Sequence, residues 1–267
     1  MAKRVAIISQ SASPLGRACA KKFCEAGYRL VLSDPDDDAG RAAAEALFER
    51  SEDLRFVTGD GANRLHVHNI VAEALEAFGR VDVAVSAPAP RKIQDNEETK
   101  FHELADDEFQ TRGLDPLLRA ILINQAAIKQ FLKQSEDVAP GDEAGSIVNI
   151  AFSEAPSITR PADSIAGGGV FALTKTLANA YAQSAIRVNA VRAAGVLGGQ
   201  YTNREKDVLR TAAPSGRFVD VDAVAEIVGF LASPEAAGVN GQVMTVDGAG
   251  LFSVRALAKK LPKKSPS

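Results

Sequence analysis

Seven short runs of β-branched and aliphatic residues punctuate the chain: Val5–Ser9, Arg29–Ser33, Leu54–Thr58, Val81–Ser86, Gly145–Ile150, Arg187–Val191 and Val243–Val246. Longer Ala-, Leu- and Glu-rich stretches separate them. Strands this apolar must be covered on both faces, and helices between them supply the cover. The alternation predicts an α/β fold, a doubly wound parallel β-sheet flanked by helices. Leu15–Ala26 reads as the first helix: Pro14 suits its first turn, where a missing N–H costs nothing, and Gly27 closes it. Ala39–Arg50 reads as the second. With no internal repeat and no linker, residues 1–250 are expected to form a single domain.

Composition narrows the function classes. Hydrophobic residues make up 46% and charged residues 24% of the 267, enough for a sizeable core. No apolar run approaches the roughly 18 residues needed to span a bilayer. The start, Met1-Ala2-Lys3-Arg4 and then Val5-Ala6-Ile7-Ile8, suits a first strand better than a signal peptide. Cys19 and Cys24 make neither a disulfide framework nor a metal site, so a reducing cytoplasm is expected. The net charge of −3 hides an asymmetry: five basic residues and no acid lie between Gly248 and Ser267. Residues 251–267 read as a flexible basic tail, with docking to an acidic partner or a lipid surface as the alternative. Nothing points to nucleic acid.

Several segments carry a resemblance. Ser146-Ile147-Val148-Asn149-Ile150, Leu173-Thr174-Lys175, Arg187-Val188-Asn189-Ala190-Val191, Asp222-Ala223-Val224-Ala225 and Asn240-Gly241-Gln242-Val243 fall in order along the chain. Together they resemble the short-chain dehydrogenase/reductase family over nearly the whole length. The resemblance implies a Rossmann-type fold and a homo-oligomer, dimer or tetramer, formed through the active-site helix, its predecessor and the last strand.

It also implies a dinucleotide site. Pyrophosphate sits at a helix N-terminus, where free N–H groups and the helix dipole favour an anion. The family reads Thr-Gly-x-x-x-Gly-x-Gly there; this chain reads Ser9-Gln10-Ser11-Ala12-Ser13-Pro14-Leu15-Gly16, keeping only the last glycine. Ser11 and Ser13 offer hydroxyl donors instead. Asp34, closing the second strand, matches the acid that bonds the ribose and disfavours NADP, although Asp34–Asp38 is equally a good helix-capping loop. Asp60 matches the aspartate at the adenine, and Ser86 begins the loop supporting nicotinamide. NAD(H) is the cofactor implied. His66 and His68 read as surface residues, and no metal is expected.

The catalytic positions depart further. Asn124 matches the family's asparagine, and the serine position falls on Phe152 or Ser153. Counting back from Leu173-Thr174-Lys175 puts Asp163 where the tyrosine belongs and Gly167 where the lysine belongs. A carboxylate accepts hydrogen bonds but brings no proton to a carbonyl. Tyr201, in a lid-like segment, is the one substitute acid. The connection between Phe101 and Asn124 is longer than usual in the family, and Arg91–Arg112 is densely charged, which suits either a solvated loop or a protein-docking surface.

These departures lead to the expectation of a catalytically inactive homologue, acting as a regulatory or binding protein that senses NAD(H). Two alternatives stand beside it: a noncanonical NAD(H)-dependent oxidoreductase acting on a small carbonyl or alcohol, with Ser153, Asp163 or Tyr201 in new roles, and a structural subunit of a hetero-oligomer with an active homologue.

Overall fold

The computed structural model of the protein describes residues 3–47, 52–88, 101–137, 142–152, 161–194, 196, 203 and 216–249. Seven strands, β1 (Val5–Ser9), β2 (Arg29–Asp34), β3 (Leu54–Thr58), β4 (Val83–Ser86), β5 (Gly145–Phe152), β6 (Ile186–Ala193) and β7 (Val243–Val246), form one sheet in the order β3-β2-β1-β4-β5-β6-β7. Every pairing is parallel. The winding direction therefore reverses between β1 and β4, which leaves a crevice beyond their carboxyl ends.

The helices are α1 (Pro14–Glu25), α2 (Asp37–Glu45), α3 (Arg64–Phe78), α4 (Asp106–Glu108), α5 (Asp115–Gln134), α6 (Pro161–Tyr181) and α7 (Val221–Ala232), with a π-helical segment, Phe109–Leu114, joining α4 to α5. Alternation along β1 sets the two layers. Ala6 and Ile8 pack with residues of α1, α2 and α7, whereas Val5 and Ile7 pack with residues of α3, α5 and α6. Fully buried Phe23 and Phe131 anchor the two sides, each burial contributing about 1.5–3 kcal/mol. Gly145 lets β5 meet α5: a Cβ there would lie 2.4 Å from the Phe131 ring.

The sequence places the strands well and some of their ends less well. β4 begins at Val83, not Val81, because the Val81 N–H leaves the ladder for the Gln134 amide oxygen at 2.9 Å. Next to it the Asp82 carboxylate accepts from the Val5 N–H at 2.8 Å and clamps Arg80 at 2.6 Å. β5 and β6 run on to Phe152 and Ala193 because they pair with each other along their full length. The second helix spans Asp37–Glu45 rather than Ala39–Arg50, since the Asp36 side chain caps it by accepting from the Ala39 N–H at 3.0 Å. No helix among the described residues is long and apolar enough to cross a membrane. The tail at 251–267 lies outside the described residues.

Candidate active site

The turn between β1 and α1 is folded in on its own backbone. Gln10 stands in the left-handed region, φ 53°, where the family has glycine. Its carbonyl accepts from the Ser13 N–H at 3.1 Å and from the Ser13 hydroxyl at 2.8 Å. The Ser13 Oγ in turn caps α1, accepting from the Gly16 N–H at 2.9 Å. Gly16 is required by packing: a Cβ there would sit 2.1 Å from the Gln10 oxygen. The Ser11 N–H goes to Ser33 O at 3.0 Å, and the Ala12 N–H to Asp34 Oδ2 at 2.9 Å. Among the described residues, the Leu15 N–H in the first turn of α1 and the fully buried Ser11 hydroxyl have no protein acceptor, which suits an anion. That is a narrow cradle, but one that a phosphate at a helix N-terminus fits.

The other expected cofactor residues are bound into the fold. Ser9 stitches β1 to β4, its hydroxyl accepting from the Ala87 N–H at 3.1 Å. Asp34 is 5% exposed, and its second oxygen accepts from the Asp36 N–H at 3.1 Å. Asp60 accepts from the Ala62 N–H at 3.0 Å and from Arg119 Nε at 3.0 Å. Burial alone would push its carboxyl up, but the Arg119 and Ala62 hydrogen bonds, with the charges of Arg119 and His66, hold it below the usual carboxylate range. His66 is no free ligand: its Nδ1 accepts from the Asp60 N–H at 3.0 Å, and no metal-binding cluster exists among the described residues.

Beyond the ends of β4 and β5 lies a cavity of about 610 Å³. Ser86, Ala87 and Pro88 line it from β4, and Ile150, Ala151 and Phe152 from β5. From α6 come Asp163, Ala166, Gly167 and Val170, one face of a helix at spacings of three and four residues. The fourth wall is Thr111, Arg112, Asp115, Pro116, Arg119 and Ala120. The cavity thus brings Ser86, Phe152, Asp163 and Gly167 together. Asn124 is not on its wall; it is buried in α5, 1% exposed, with neither amide atom partnered among the described residues. Ser153, Tyr201 and the segment 91–100 lie outside the described residues.

Sequence reading marked Arg112 only as the end of a charged segment and passed over Asp115 and Arg119. Arg112, Asp115 and Arg119 stand three and four residues apart, a polar stripe entering an otherwise apolar helix, and that spacing was the available signal. Arg112 Nη1 bonds Glu108 at 2.6 Å, and Asp115 accepts from the Gln110 amide at 2.8 Å.

Comparison with known proteins agrees with this architecture. A family model described as enoyl-(acyl carrier protein) reductase matches residues 10–250. A (2S)-[(R)-hydroxy(phenyl)methyl]succinyl-CoA dehydrogenase subunit of Thauera aromatica is 27% identical over 250 residues, covering 92% of this chain and 95% of that one. A 3beta-hydroxysteroid dehydrogenase of Eggerthella lenta is 27% identical over 260 residues, covering 93% and 95%. The crystal structure of a 3-ketoacyl-(acyl-carrier-protein) reductase from Brucella melitensis, complexed with NADH, superposes with a TM-score of 0.78 at 26% identity, covering 94% of this chain and 99% of that one.

These relatives overturn the expectation of an inactive regulatory homologue. Proteins similar over more than nine-tenths of the chain are named as dehydrogenases and reductases.

Proposed function

Because the chain belongs to the short-chain dehydrogenase/reductase family, we propose that it is an NAD(H)-dependent oxidoreductase acting on a small alcohol or carbonyl compound. The observation carrying this reading is the position of Asp163. Its carboxylate lines a cavity beyond the carboxyl ends of β4 and β5, next to the switch point where open α/β sheets bind ligands. The NADH held by the Brucella melitensis relative supports the cofactor class. The Leu15 N–H and the Ser11 hydroxyl would hold a phosphate, and Ser86 and Ala87 would border the nicotinamide.

The chemistry departs from the family's. Asp163 and Gly167, which fall at the positions of the family's tyrosine and lysine by sequence count, both line the cavity. A carboxylate suits alcohol oxidation: Asp163 accepts the hydroxyl proton, the O–H pair becomes the second carbonyl bond, and the C–H pair departs as hydride. Bound nicotinamide supplies the hydride acceptor. In the reverse direction protonated Asp163 returns the proton to the carbonyl oxygen. Ile150, Ala151, Phe152 and Val170 supply an apolar wall that keeps bulk water from the reacting carbon. NADH titration by fluorescence, followed by an alcohol panel with NAD, tests the reading. Saturable binding with turnover upholds it, and binding of no dinucleotide overturns it.

A homo-oligomer is part of the same proposal. Leu118 and Ile165 are 38% and 41% exposed on α5 and α6, and the space around a Gly168 Cβ is open. Exposed apolar side chains on these two helices suit contact with a second copy of the chain. Light scattering on the purified protein measures the oligomer directly.

A further inference from the structure

Arg119 is the cavity's underused cation. Its stem rests on the β3–α3 connection, with Cγ 3.5 Å from where a Gly61 Cβ would stand. Its Nε donates to Asp60 Oδ1 at 3.0 Å, and its side chain is 17% exposed. A guanidinium carries five N–H donors in a rigid planar fork. Only the Nε is engaged; the two terminal amino groups, four N–H bonds, have no acceptor among the described residues. These amino groups are not among the fully buried atoms, and Arg119 lines the cavity, so a ligand there could replace the water that meets them.

The other charged groups of the cavity are differently placed. Arg112 is tied to Glu108, Asp115 is held by Gln110, and Asp163 faces the same cavity from α6. From these observations, and resting on the oxidoreductase reading above, we infer that Arg119 is a specificity-determining residue that binds an anionic oxygen pair, a carboxylate or phosphoryl group, of the molecule occupying the cavity. Asp60 fixes the guanidinium through Nε and leaves the Nη1–Nη2 edge for a two-point contact, the geometry in which arginine recognises such groups. Asp60 also tempers the positive charge, so recognition depends on fit as well as on attraction. Two sources carry this chemistry, the acid group of a substrate and the pyrophosphate of the dinucleotide.

The test compares the wild type with Arg119→Gln and Arg119→Lys, each checked for native melting by circular dichroism. NADH affinity is measured by fluorescence. Binding of 3-hydroxybutyrate and of its methyl ester, which differ only in the anion, is measured by saturation-transfer NMR with and without NADH. If the anion belongs to the substrate, the acid binds the wild type better than the ester, and Arg119→Gln weakens the acid by about 10- to 100-fold while the NADH affinity stays within about twofold. If it belongs to the dinucleotide, the same variant weakens NADH by about tenfold or more. In either case Arg119→Lys, which keeps the charge but not the fork, recovers part of the loss, and it carries the test alone should Arg119→Gln fail to fold. Equal affinities of wild type and variants for acid and NADH overturn the inference. A wild type that binds no dinucleotide, yet binds the acid in an Arg119-dependent way, overturns the oxidoreductase reading and leaves the anion site standing.

Discussion

The Ala12 N–H donates to Asp34 Oδ2 at 2.9 Å, so the end of β2 and the β1–α1 turn form one hydrogen-bonded unit. Through Oδ1 the same carboxylate accepts from the Asp36 N–H, just ahead of α2. Asp34→Ala should therefore leave two backbone donors without their acceptor and cost about 1–3 kcal/mol. Calorimetry should show a melting temperature lower by several degrees. An unchanged melt would mean that water replaces the carboxylate freely.

Gln10 and Gly16 predict opposite effects from reciprocal substitutions. Gln10→Gly relieves a left-handed conformation that costs a side-chain-bearing residue roughly 1–2 kcal/mol, less the extra flexibility glycine brings to the unfolded chain. Stability should rise slightly. Gly16→Ala drives a methyl to 2.1 Å from the Gln10 oxygen, so the turn must open. Denaturant titration should show a loss of at least about 2 kcal/mol, the sort of penalty that comes with backbone strain.

Asp163→Asn tests the proton acceptor. The amide keeps the size and the cavity, but takes up no proton. Turnover of an alcohol should fall by about 100-fold or more, with NADH affinity nearly unchanged. Steady-state kinetics alongside NADH titration separates the two quantities. A variant as fast as wild type would remove Asp163 from the chemistry.

The Arg119–Asp60 pair gives the stability profile an acid limb. The folded-state pKa of Asp60 lies below its ordinary 3.8, so the folded protein binds fewer protons there than the unfolded chain. The contribution is complete above the unfolded value and is lost as pH falls through the lower folded one. Melts of Asp60→Asn between pH 5 and pH 2 should decline less steeply than those of the wild type, a difference that salt should narrow.

Burial pushes the Cys19 thiol up to about 12, and Cys24 is also raised, by burial first and then by Glu25 and Asp53. A thiolate-seeking reagent at pH 8 should leave Cys19 unmodified in the folded protein and label it once denatured. Mass spectrometry after brief alkylation reads this directly.

The sheet was legible because β-branched runs and helix-forming stretches alternate with little ambiguity, and Val5–Ser9, Leu54–Thr58 and Val243–Val246 fall where expected. The ends that slipped were decided by distant side chains: Gln134 takes Val81 out of the ladder, a contact between positions 53 residues apart. Asp163 and Gly167 could be placed by counting from Leu173-Thr174-Lys175, and the cavity holds both. Arg119 was marked only by its spacing from Arg112 and Asp115. Its partners became visible once tertiary packing set it on Gly61 and against Asp60. The reading of lost function rested on residue types counted along one helix, and the relatives named as dehydrogenases and reductases overturn it.

The order of the sheet carries a consequence for biogenesis. Of the seven strands β1 is synthesised first, yet it lies mid-sheet, and one of its neighbours, β4, begins only at Val83. Until that stretch is synthesised, one edge of the nascent β1–β2 pair stays open to stray partners. At about 5–20 residues per second the exposure lasts several seconds, long enough for chaperones to matter to its yield.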